Sequence, residues 1–498
     1  MNVNPITRLD YPDPDVIRVE DTYYMVSTTM HFMPGCEILQ SFDLVHWEHV
    51  TYVYETLDHT DAQQLKSGQN IYGQGMWAAS LRYHEGRFYI CFVANDTRKT
   101  YLYTSEKIDG PWKKQLIEGF YHDGSLLFDE DGRSYIVYGN DEIWITELNE
   151  DLTAPKKDGL HRLLVSDHKN PELGYEGSHI QKINGYYYIF LVHSLRDRWM
   201  RTEACFYSDS LEGEFTGGDV LCDDRGYCGQ GVAQGGIVDT PDGKWYAMLF
   251  QDSGAVGRIP ILLPVTWKDH FPFFGQNGHV PKEIEVHSTR PGYIYQPLVG
   301  SDDFCNGLLP RWQFNHDPDP RYYHLDALQG TYTITTREVC TELTQAVNTL
   351  TQRMSYPSCA AEVTVDASAL KEGDVAGLCA LQGCYAAVGI TKHHGKYEVL
   401  MLDKKEDGIL DMTEGTVVES HQMDFRLEAD FCNMKDEARC YYRVNKGDWL
   451  PIGNVHKLYF KLDHFTGCRF GLFCYAAEET GGSACFRDFK YYDVDEIS

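Results

Sequence analysis

Five residues at a common distance from a repeated tyrosine are the strongest candidates for chemistry in this chain. Each lies eleven or twelve residues before the tyrosine of its repeat, and three of the five are carboxylic acids. Carboxyl groups held close together raise one another's pKa, so one can stay protonated while another is ionised. Such a pair can act as general acid and general base, as in the cleavage of glycosidic bonds. The five residues are Asp13, Trp77, Asp123, Glu176 and Gln234.

The elements that must position these residues form a fivefold repeat. In each copy, a turn containing Gly or Asp precedes a strand rich in aromatic and apolar residues, and successive tyrosines are 65, 46, 53 and 58 residues apart. This spacing is typical of a four-stranded propeller blade. Because equivalent residues of successive blades occupy equivalent positions around the axis, we expect the five candidates to converge. The repeated tyrosines are Tyr24, Tyr89, Tyr135, Tyr188 and Tyr246.

Other interpretations apply to single copies of the motif. An Asp followed by Gly or Pro is common in turns, and only the agreement of all five copies favours a shared site. Asp15 lies on the same strand face as Asp13 and is an alternative general base. Trp77 offers a ring for stacking on a sugar, and Gln234 offers a polar contact. His122, beside Asp123, is expected to be a loop or supporting residue rather than a metal ligand.

From NPITRLDYPDPDVIRVEDTYYM to LLPVTWKDHFP, the sequence resembles glycoside hydrolase family 43. The resemblance implies a five-bladed β-propeller and an inverting mechanism. It also implies that Asp13 is the general base, that Glu176 in YEGSH is the general acid, and that Asp123 tunes and orients that acid. Arg258 in GAVGRIPILLPVTW matches an arginine of the sugar pocket. Phe32 in TTMHFMPGCEI matches a pocket-wall loop and is expected to contact the sugar, with core packing as the alternative.

The fifth-blade position bears on cofactors. Many members of the family have a histidine there that helps to hold a metal ion, often calcium, whereas this chain has Gln234. A Gln carbonyl can also bind Ca²⁺, so a structural calcium ion on the propeller axis stays an open alternative. Proton-transfer catalysis itself requires no cofactor, and neither an HExxH motif nor an EF-hand spacing occurs in the sequence. We therefore predict no catalytic metal site.

The blade pattern ends near residue 285, and a second domain follows. We predict a propeller over 1–285, a linker over 286–299 and a β-sandwich over 300–498, because short alternating strands separated by polar turns are typical of a sandwich. This part resembles the C-terminal domain of two-domain β-xylosidase-like members. There the sandwich lends a loop that closes the pocket, which favours exo action. A stabilising module without sugar contact is the alternative.

Composition narrows the class of protein further. The formal net charge of −30 disfavours nucleic acids and anionic membranes as partners, and an aromatic content of 13% suits strands and sugar stacking. The N-terminal sequence lacks the basic and apolar regions of a signal peptide. The chain has 15 Cys and no CxxC motif, which favours reduced thiols in the core. We therefore expect a cytoplasmic protein.

These observations predict an all-β enzyme of two domains. The expected activity is that of an inverting exo-glycosidase, which releases terminal β-D-xylosyl residues from oligosaccharides derived from xylan or arabinoxylan. An α-L-arabinofuranosidase, or an enzyme with both activities, is the first alternative because the two sugars present similar hydroxyl groups. A non-catalytic glycan-binding propeller is the second alternative. The expected partner is the oligosaccharide substrate, and the oligomeric state, including a homo-oligomer, is left open.

Overall fold

The computed structural model describes residues 2–167, 169–464 and 466–493, and it confirms the predicted all-β architecture. The first part of the chain forms five four-stranded antiparallel sheets, and each sheet follows chain order from its first strand to its last. The first strands of the five sheets contact one another in a closed ring. The sheets are therefore the blades of a propeller, and these strands surround its axis.

Strands are numbered along the whole chain. The blade strands are β2 (Asp15–Val19), β3 (Thr22–Val26), β5 (Gly35–Ser41) and β6 (Glu48–Tyr54) in blade one; β7 (Met76–His84), β8 (Arg87–Ala94), β9 (Lys99–Ser105) and β10 (Lys113–Ile117) in blade two; β11 (Ser125–Phe128), β12 (Ser134–Asn140), β13 (Glu142–Leu148) and β14 (His161–Ser166) in blade three; β15 (Glu176–Ile183), β16 (Tyr186–Ser194), β17 (Arg201–Ser208) and β18 (Thr216–Leu221) in blade four; and β19 (Ala233–Asp239), β20 (Trp245–Asp252), β21 (Arg258–Lys268) and β22 (Phe271–Phe274) in blade five.

The repeated tyrosine always lies in the second strand of its blade, so the repeat is the inner hairpin. Aromatic and β-branched residues favour these strands, whose apolar faces are buried between neighbouring blades. Tyr135, for example, is fully buried in a cluster that also contains Ile180 and Leu191 of the next blade. Burial on the blade faces thus fixes the strand register on which the axial residues depend.

A left-handed backbone conformation recurs near the start of each inner strand. Ladder register shifts follow this point in blades two, four and five. Such bulges release side chains from the regular alternation of a strand and are common beside active sites. The five residues with positive φ are Asp13 (52°), Ala78 (25°), Asp123 (48°), Gly177 (67°) and Gln234 (69°). The left-handed residue therefore belongs to the repeat itself, and a bulge accompanies it in three of the five blades.

The second part of the chain forms a β-sandwich, as predicted, with two antiparallel sheets around a large apolar core. Within the described residues, one sheet has nine strands and the other has seven. The nine are β4 (Phe32–Met33), β24 (Gln313–Asn315), β27 (Leu350–Arg353), β29 (Val375–Leu381), β30 (Ala386–His393), β31 (Lys396–Lys404), β32 (Leu410–Met412), β33 (Thr416–Val418) and β37 (Arg469–Tyr475). The seven are β25 (Tyr323–Asp326), β26 (Thr331–Thr335), β28 (Ser358–Asp366), β34 (Gln422–Asp430), β35 (Glu437–Val444), β36 (Leu450–Lys457) and β38 (Ser483–Asp493).

The two domains share a sheet. Strand β4 comes from the loop after β3 in the first blade, yet it pairs with β24 of the sandwich. Strand β1 (Asn2–Val3) pairs with β23 (Glu283–Ile284), so the beginning and the end of the propeller sequence meet. Over the residues that the structure describes, the helical elements are three short 3₁₀ turns, Lys66–Gly68, Leu343–Gln345 and Cys432–Met434. In the described part of the chain, no helix has the length and apolar character needed to cross a bilayer.

Candidate active site

Three carboxyl groups meet where the inner strands begin, at one end of the propeller axis. Nε2 of His122 lies 3.5 Å from Oδ2 of Asp123 in blade three and 3.5 Å from Oε2 of Glu176 in blade four. The charge of Asp13, from blade one, acts on both His122 and Asp123. The structure therefore brings the three acids named in the sequence analysis into one electrostatically coupled site.

Asp13 is held by donors on both of its carboxylate oxygens. Oγ1 of Thr28 donates to Oδ2 at 2.5 Å, and Nη1 of Arg258 donates to Oδ1 at 2.7 Å. Only 4% of the Asp13 surface is exposed. These contacts fix the orientation of the carboxylate, which a general base needs in order to reach a water molecule.

Arg258 connects Asp13 to the rest of the fold. Its backbone N–H donates to Oδ1 of Asp10 at 2.7 Å, and its Nε lies 3.3 Å from Oδ1 of Asp252. The ring of Phe460 lies over the guanidinium group, with 5.9 Å between the ring centroid and Cζ. Because Phe460 follows β36 in the sandwich, the second domain contributes directly to the surroundings of the site.

Glu176 is oriented by an amide from the preceding blade. Nδ2 of Asn140 donates to Oε2 of Glu176 at 2.6 Å, on the same oxygen that faces His122. The side chain of Glu176 keeps 20% of its surface exposed, whereas that of Asp123 keeps 7%. Glu176 is thus the more accessible of the two acids, and Oε1 carries neither of these contacts.

His122, Asp123 and Glu176 influence one another's ionisation. Burial opposes a charge on His122, but the carboxylates of Asp123 and Glu176 outweigh burial and raise the pKa of His122 to about 9. Burial raises the pKa of Asp123 to about 6, with the Glu176 charge adding to it and His122 opposing it. Burial also disfavours ionised Glu176, yet the adjacent imidazolium holds the pKa of Glu176 below its ordinary value.

This order of pKa values differs from the role that the resemblance implies for Asp123. That role is to keep Glu176 protonated, whereas the neighbouring His122 lowers the pKa of Glu176. The pKa of Glu176 is lowered because the positive charge of the imidazole favours an ionised carboxyl group. A neighbouring carboxylate alone would have the opposite effect. The tuning role of Asp123 stays a prediction.

Gln234 and Trp77 lie beside the acids. Gly177, directly after Glu176, has a φ of +67°, and a Cβ atom there would lie only 2.6 Å from Cγ of Gln234. Only glycine combines this backbone conformation with so close an approach. The ring centroid of Trp77 lies 6.2 Å from that of His122. Contacts of Trp77 and Gln234 with a sugar stay predictions.

Phe32 is the one predicted contact that the structure places away from the acids. Its side chain is completely buried, and its ring centroid lies 3.5 Å from Cζ of Arg469 and 4.2 Å from the ring centroid of His31. In this packing Phe32 supports the wall between the propeller and the sandwich, as the core-packing alternative expects. A sugar contact by Phe32 stays a prediction.

Asp15, the alternative base, is occupied by structural partners. Oδ2 accepts hydrogen bonds from Nη1 of Arg82 at 2.8 Å and from the backbone N–H of Leu81 at 2.7 Å, and Oδ1 lies 3.0 Å from Nδ1 of His179. Burial would raise the pKa of Asp15, but Arg82 and His179 together lower it. Asp15 therefore links blades one, two and four and is poorly suited to accept a proton.

The donors around Gln234 do not form a typical calcium site. Its backbone N–H donates to Oε2 of Glu203 at 2.8 Å, and burial raises the pKa of Glu203, which favours the neutral acid. Among the described residues, the one convergent group of three His, Cys or acidic side chains is His122, Asp123 and Glu176. Ca²⁺ is usually held by several oxygen ligands, including ionised carboxylates. A structural calcium ion on the axis therefore stays an untested alternative.

Several supporting residues were not identified from the sequence. Thr28 and Asn140 reach the acids from other strands or loops, and Arg201 pairs with Asp252 beside Arg258. None of them lies at the shared offset from the repeated tyrosine. Strand pairing could have indicated Asn140. This residue ends the second strand of blade three, the blade that precedes Glu176.

Comparisons with known proteins agree with this architecture. Residues 3–272 match the family described as Glycosyl hydrolases family 43, and residues 301–492 match the Beta xylosidase C-terminal Concanavalin A-like domain. A β-xylosidase from Formosa agariphila is 26% identical, covering 99% of this chain and 89% of the relative. A non-reducing end α-L-arabinofuranosidase from Bacteroides ovatus is also 26% identical, covering 66% of this chain and 63% of the relative.

A solved structure shows the same two-domain fold. It is described as a bifunctional GH43-CE protein from Bacteroides eggerthii and superposes with a TM-score of 0.92 at 42% identity. The alignment covers 99% of this chain but 64% of that chain, so the present chain spans slightly less than two thirds of that protein's length. Because the propeller family match extends over more than half of the sequence, the chain belongs to glycosyl hydrolases family 43.

Proposed function

We propose that this protein is an inverting exo-glycosidase that releases terminal β-D-xylosyl residues from oligosaccharides derived from xylan or arabinoxylan. The observation that carries the proposal is the meeting of Asp13, Asp123 and Glu176 at one end of the axis, with Arg258 bound to Asp13. The β-xylosidase from Formosa agariphila, which is similar over nearly the whole chain, supports the choice of sugar.

In the proposed mechanism, one carboxyl group acts as the general base and another as the general acid. Asp13, fixed by Thr28 and Arg258, takes a proton from the attacking water. Glu176, oriented by Asn140, gives a proton to the departing oxygen. The two acids belong to blades one and four, so they approach the sugar from different parts of the ring of strands. Inversion requires room for a water molecule between the base and the sugar.

Exo action is proposed because the sandwich lies against the propeller at the pocket. Phe460 contacts Arg258, and His464 stacks on Tyr72 of the propeller with ring centroids 5.4 Å apart. Both sandwich residues lie in the segment between β36 and β37. A pocket bounded in this way admits the end of a chain more readily than its middle.

An α-L-arabinofuranosidase activity, alone or beside the xylosidase activity, is the second candidate. The relative from Bacteroides ovatus carries that name at the same level of identity as the β-xylosidase, although it matches a smaller part of the chain. The proposed acid and base serve either sugar, because neither of them selects the ring form or the position of a hydroxyl group. We also propose that turnover needs no cofactor, so dialysis against EDTA should leave the rate unchanged.

The test compares hydrolysis of 4-nitrophenyl β-D-xylopyranoside with that of 4-nitrophenyl α-L-arabinofuranoside. Wild-type protein should hydrolyse the xyloside faster, and both Asp13→Asn and Glu176→Gln should reduce the rate strongly. Glu85→Gln is a matched control, because the Glu85 side chain is 84% exposed at the turn between β7 and β8. ¹H NMR of the first product should show the inverted anomer.

The outcomes separate the candidates. If the arabinofuranoside were hydrolysed faster, α-L-arabinofuranosidase would become the main proposed activity. A first product with the retained anomeric configuration would contradict inversion. If folded wild-type protein hydrolysed neither substrate nor xylobiose, the pentosidase proposal would be rejected. The glycan-binding alternative would then be tested by calorimetric titration with xylo-oligosaccharides.

A further inference from the structure

One side chain of blade two reaches the inner strands of three other blades. Arg82 lies on β7, and its Nη1 donates to Oδ2 of Asp15 in blade one at 2.8 Å. Its Nε donates to the carbonyl of Leu126 in blade three at 2.8 Å. Its Nη2 donates to Oγ of Ser125 in blade three at 2.6 Å and to the carbonyl of Ile180 in blade four at 3.2 Å. One guanidinium group therefore joins four of the five blades.

Every N–H group of this guanidinium has an acceptor. The remaining one is directed from Nη1 to the carbonyl of Leu81, 2.6 Å away, so all five donors of the arginine are used. Only 12% of the Arg82 side chain and 1% of the Asp15 side chain are exposed. A buried charge is costly unless it is paired and hydrogen-bonded, and this group meets both conditions. A lysine ammonium has three donors on one atom and cannot fill the same five positions.

The strands that Arg82 contacts are those that carry the three acids of the active site. The contacted residue follows the acid by two positions in blades one and three and by four positions in blade four. The three pairs of acid and contacted residue are Asp13 and Asp15, Asp123 and Ser125, and Glu176 and Ile180. The guanidinium therefore connects the three segments that must cooperate in catalysis.

The acids themselves lie outside the regular strand pairing. Asp13 and Asp123 precede β2 and β11 and have positive φ, and the ladder of β15 is interrupted between Glu176 and His179. Ladder hydrogen bonds therefore do not fix the placement of the acids. Regular pairing begins or resumes at or beside the residues that Arg82 contacts. These contacts thus hold the points from which the three acids extend.

Two further contacts surround the guanidinium and join the same strands. Oγ of Ser125 also accepts from the backbone N–H of Ile180 at 3.1 Å, and Oδ1 of Asp15 lies 3.0 Å from Nδ1 of His179. They orient two of the acceptors, so the guanidinium meets oxygen atoms that are already held in place. A displacement of Arg82 should therefore affect blades one, three and four together.

We propose that Arg82 is a positioning residue for the reaction, and that its guanidinium sets the relative placement of Asp13, Asp123 and Glu176. This inference rests on the proposed glycosidase function and deepens it. A misplacement of reacting groups by about 1 Å can cost about 100-fold in rate. Because Arg82 acts through the strands rather than on the sugar, its loss should lower kcat much more than it raises KM.

Kinetics of two substitutions test this role. Arg82→Lys keeps a charge beside Asp15 but loses at least two of the five hydrogen bonds, so kcat for xylobiose should fall by about tenfold, with KM changed by less than about twofold. Arg82→Ala should lower kcat by about 100-fold. Arg18→Lys is the matched control, because Arg18 joins blade one to Asp239 of blade five at the opposite end of the inner strands. It should change neither constant. Rates are compared per folded molecule, with the folded fraction followed by circular dichroism at the assay temperature.

Chemical rescue separates positioning from general stability. Free guanidinium, added to Arg82→Ala well below the concentrations that unfold the protein, should occupy the vacated space and raise kcat by about tenfold. Sodium chloride at the same ionic strength should not raise kcat. Neither salt should raise kcat of the wild type or of Arg18→Lys. A merely stabilising effect would raise the melting temperature and leave the rate per folded molecule unchanged.

Ser125→Ala covers the case in which Arg82→Ala folds poorly. It removes one acceptor from blade three and should lower kcat by about threefold to tenfold at constant KM. Wild-type kcat in folded Arg82→Lys and Ser125→Ala would overturn the inference, as would an Arg82→Ala rate that guanidinium leaves unchanged. A wild type inactive on xylobiose and on 4-nitrophenyl β-D-xylopyranoside would overturn the proposed function and the role of Arg82 with it. An active wild type with unaffected variants would overturn only the role of Arg82.

Discussion

Arg258 donates a hydrogen bond of 2.7 Å from Nη1 to Oδ1 of Asp13, and both side chains are almost completely buried. The backbone N–H of the same arginine is bound by Asp10, whose other oxygen accepts from Gly467 in the sandwich at 2.9 Å. The proposed base is therefore connected to the second domain through two residues. A substitution at Arg258 should therefore affect mainly catalysis, whereas a substitution at Asp10 should affect mainly the packing between the domains.

Arg258→Lys should impair catalysis more than folding. Lysine retains a positive charge but cannot contact Asp13 and Asp252 together with a planar, forked group. Loss of a charged hydrogen bond of this kind should reduce kcat/KM by about 10- to 100-fold. Steady-state kinetics with 4-nitrophenyl β-D-xylopyranoside measure the change. Arg290→Lys, at an exposed pair with Asp21, is the control, and equal losses in both variants would contradict the prediction.

Glu176→Gln should separate binding from turnover. Glutamine retains the contact with Asn140 but cannot donate a proton, so the rate on xylobiose should fall by about 10²- to 10⁴-fold. Binding of xylobiose, followed by calorimetry, should change little. If binding were lost together with the rate, Glu176 would be holding the sugar rather than acting as the acid.

Asp123 should set the acidic limb of the activity profile. Burial raises its pKa to about 6, so as the pH falls through 6 it gains a proton and loses its charge. The active form keeps Asp123 ionised, and kcat/KM should therefore decline below about pH 6. In Asp123→Asn the acidic limb should disappear or move to lower pH. The maximal rate of this variant should also be lower than that of the wild type. An unchanged limb would assign it to another group, and rates across pH 4.5–9.5 provide the measurement.

Asp10→Asn should destabilise the contact between the domains. Asp10 is buried, and its two oxygens accept backbone N–H groups from Arg258 and Gly467, which an amide can satisfy only in part. We expect a loss of about 2 kcal/mol in the free energy of unfolding. Urea unfolding followed by tryptophan fluorescence measures it. Asp21→Asn, which breaks the exposed pair with Arg290, should cost less than about 1 kcal/mol.

Phe460→Ala should weaken substrate binding without removing the acid or the base. The Phe460 ring lies over Arg258, and loss of this large apolar surface should raise KM for xylobiose by about tenfold. Its effect on kcat should be small. Phe273→Ala, at a ring that is 49% exposed on β22, is the control. An unchanged KM would show that the sandwich contributes packing alone.

The repeat made much of the site predictable. Because the inner hairpin recurs in every blade, an offset of eleven or twelve residues from its tyrosine identifies Asp13, Asp123 and Glu176 as neighbours in space. The five-bladed propeller and the sandwich followed from strand patterns and are confirmed. The division of the chain at 285 and 300 and the individual sugar contacts stay predictions.

Other features depend on contacts that no local pattern encodes. His122 was set aside as a supporting residue because its effect arises only when Asp123 and Glu176 come within 3.5 Å of one nitrogen. Phe460 lies about 200 residues after Arg258 in sequence, so nothing local connects them. Strand β4 has two residues, too few to show the alternation that would have predicted it.

Strand β4 has a consequence for how the protein is made and how its domains could be recombined. Its partner β24 begins 280 residues after Met33, so β4 can pair only after all five blades have been synthesised. A sandwich produced alone would leave the N–H and C=O groups of β24 unpaired along that edge, which promotes self-association. Exchange of either domain between relatives should therefore succeed when the segment containing Phe32 and Met33 travels with its matching sandwich.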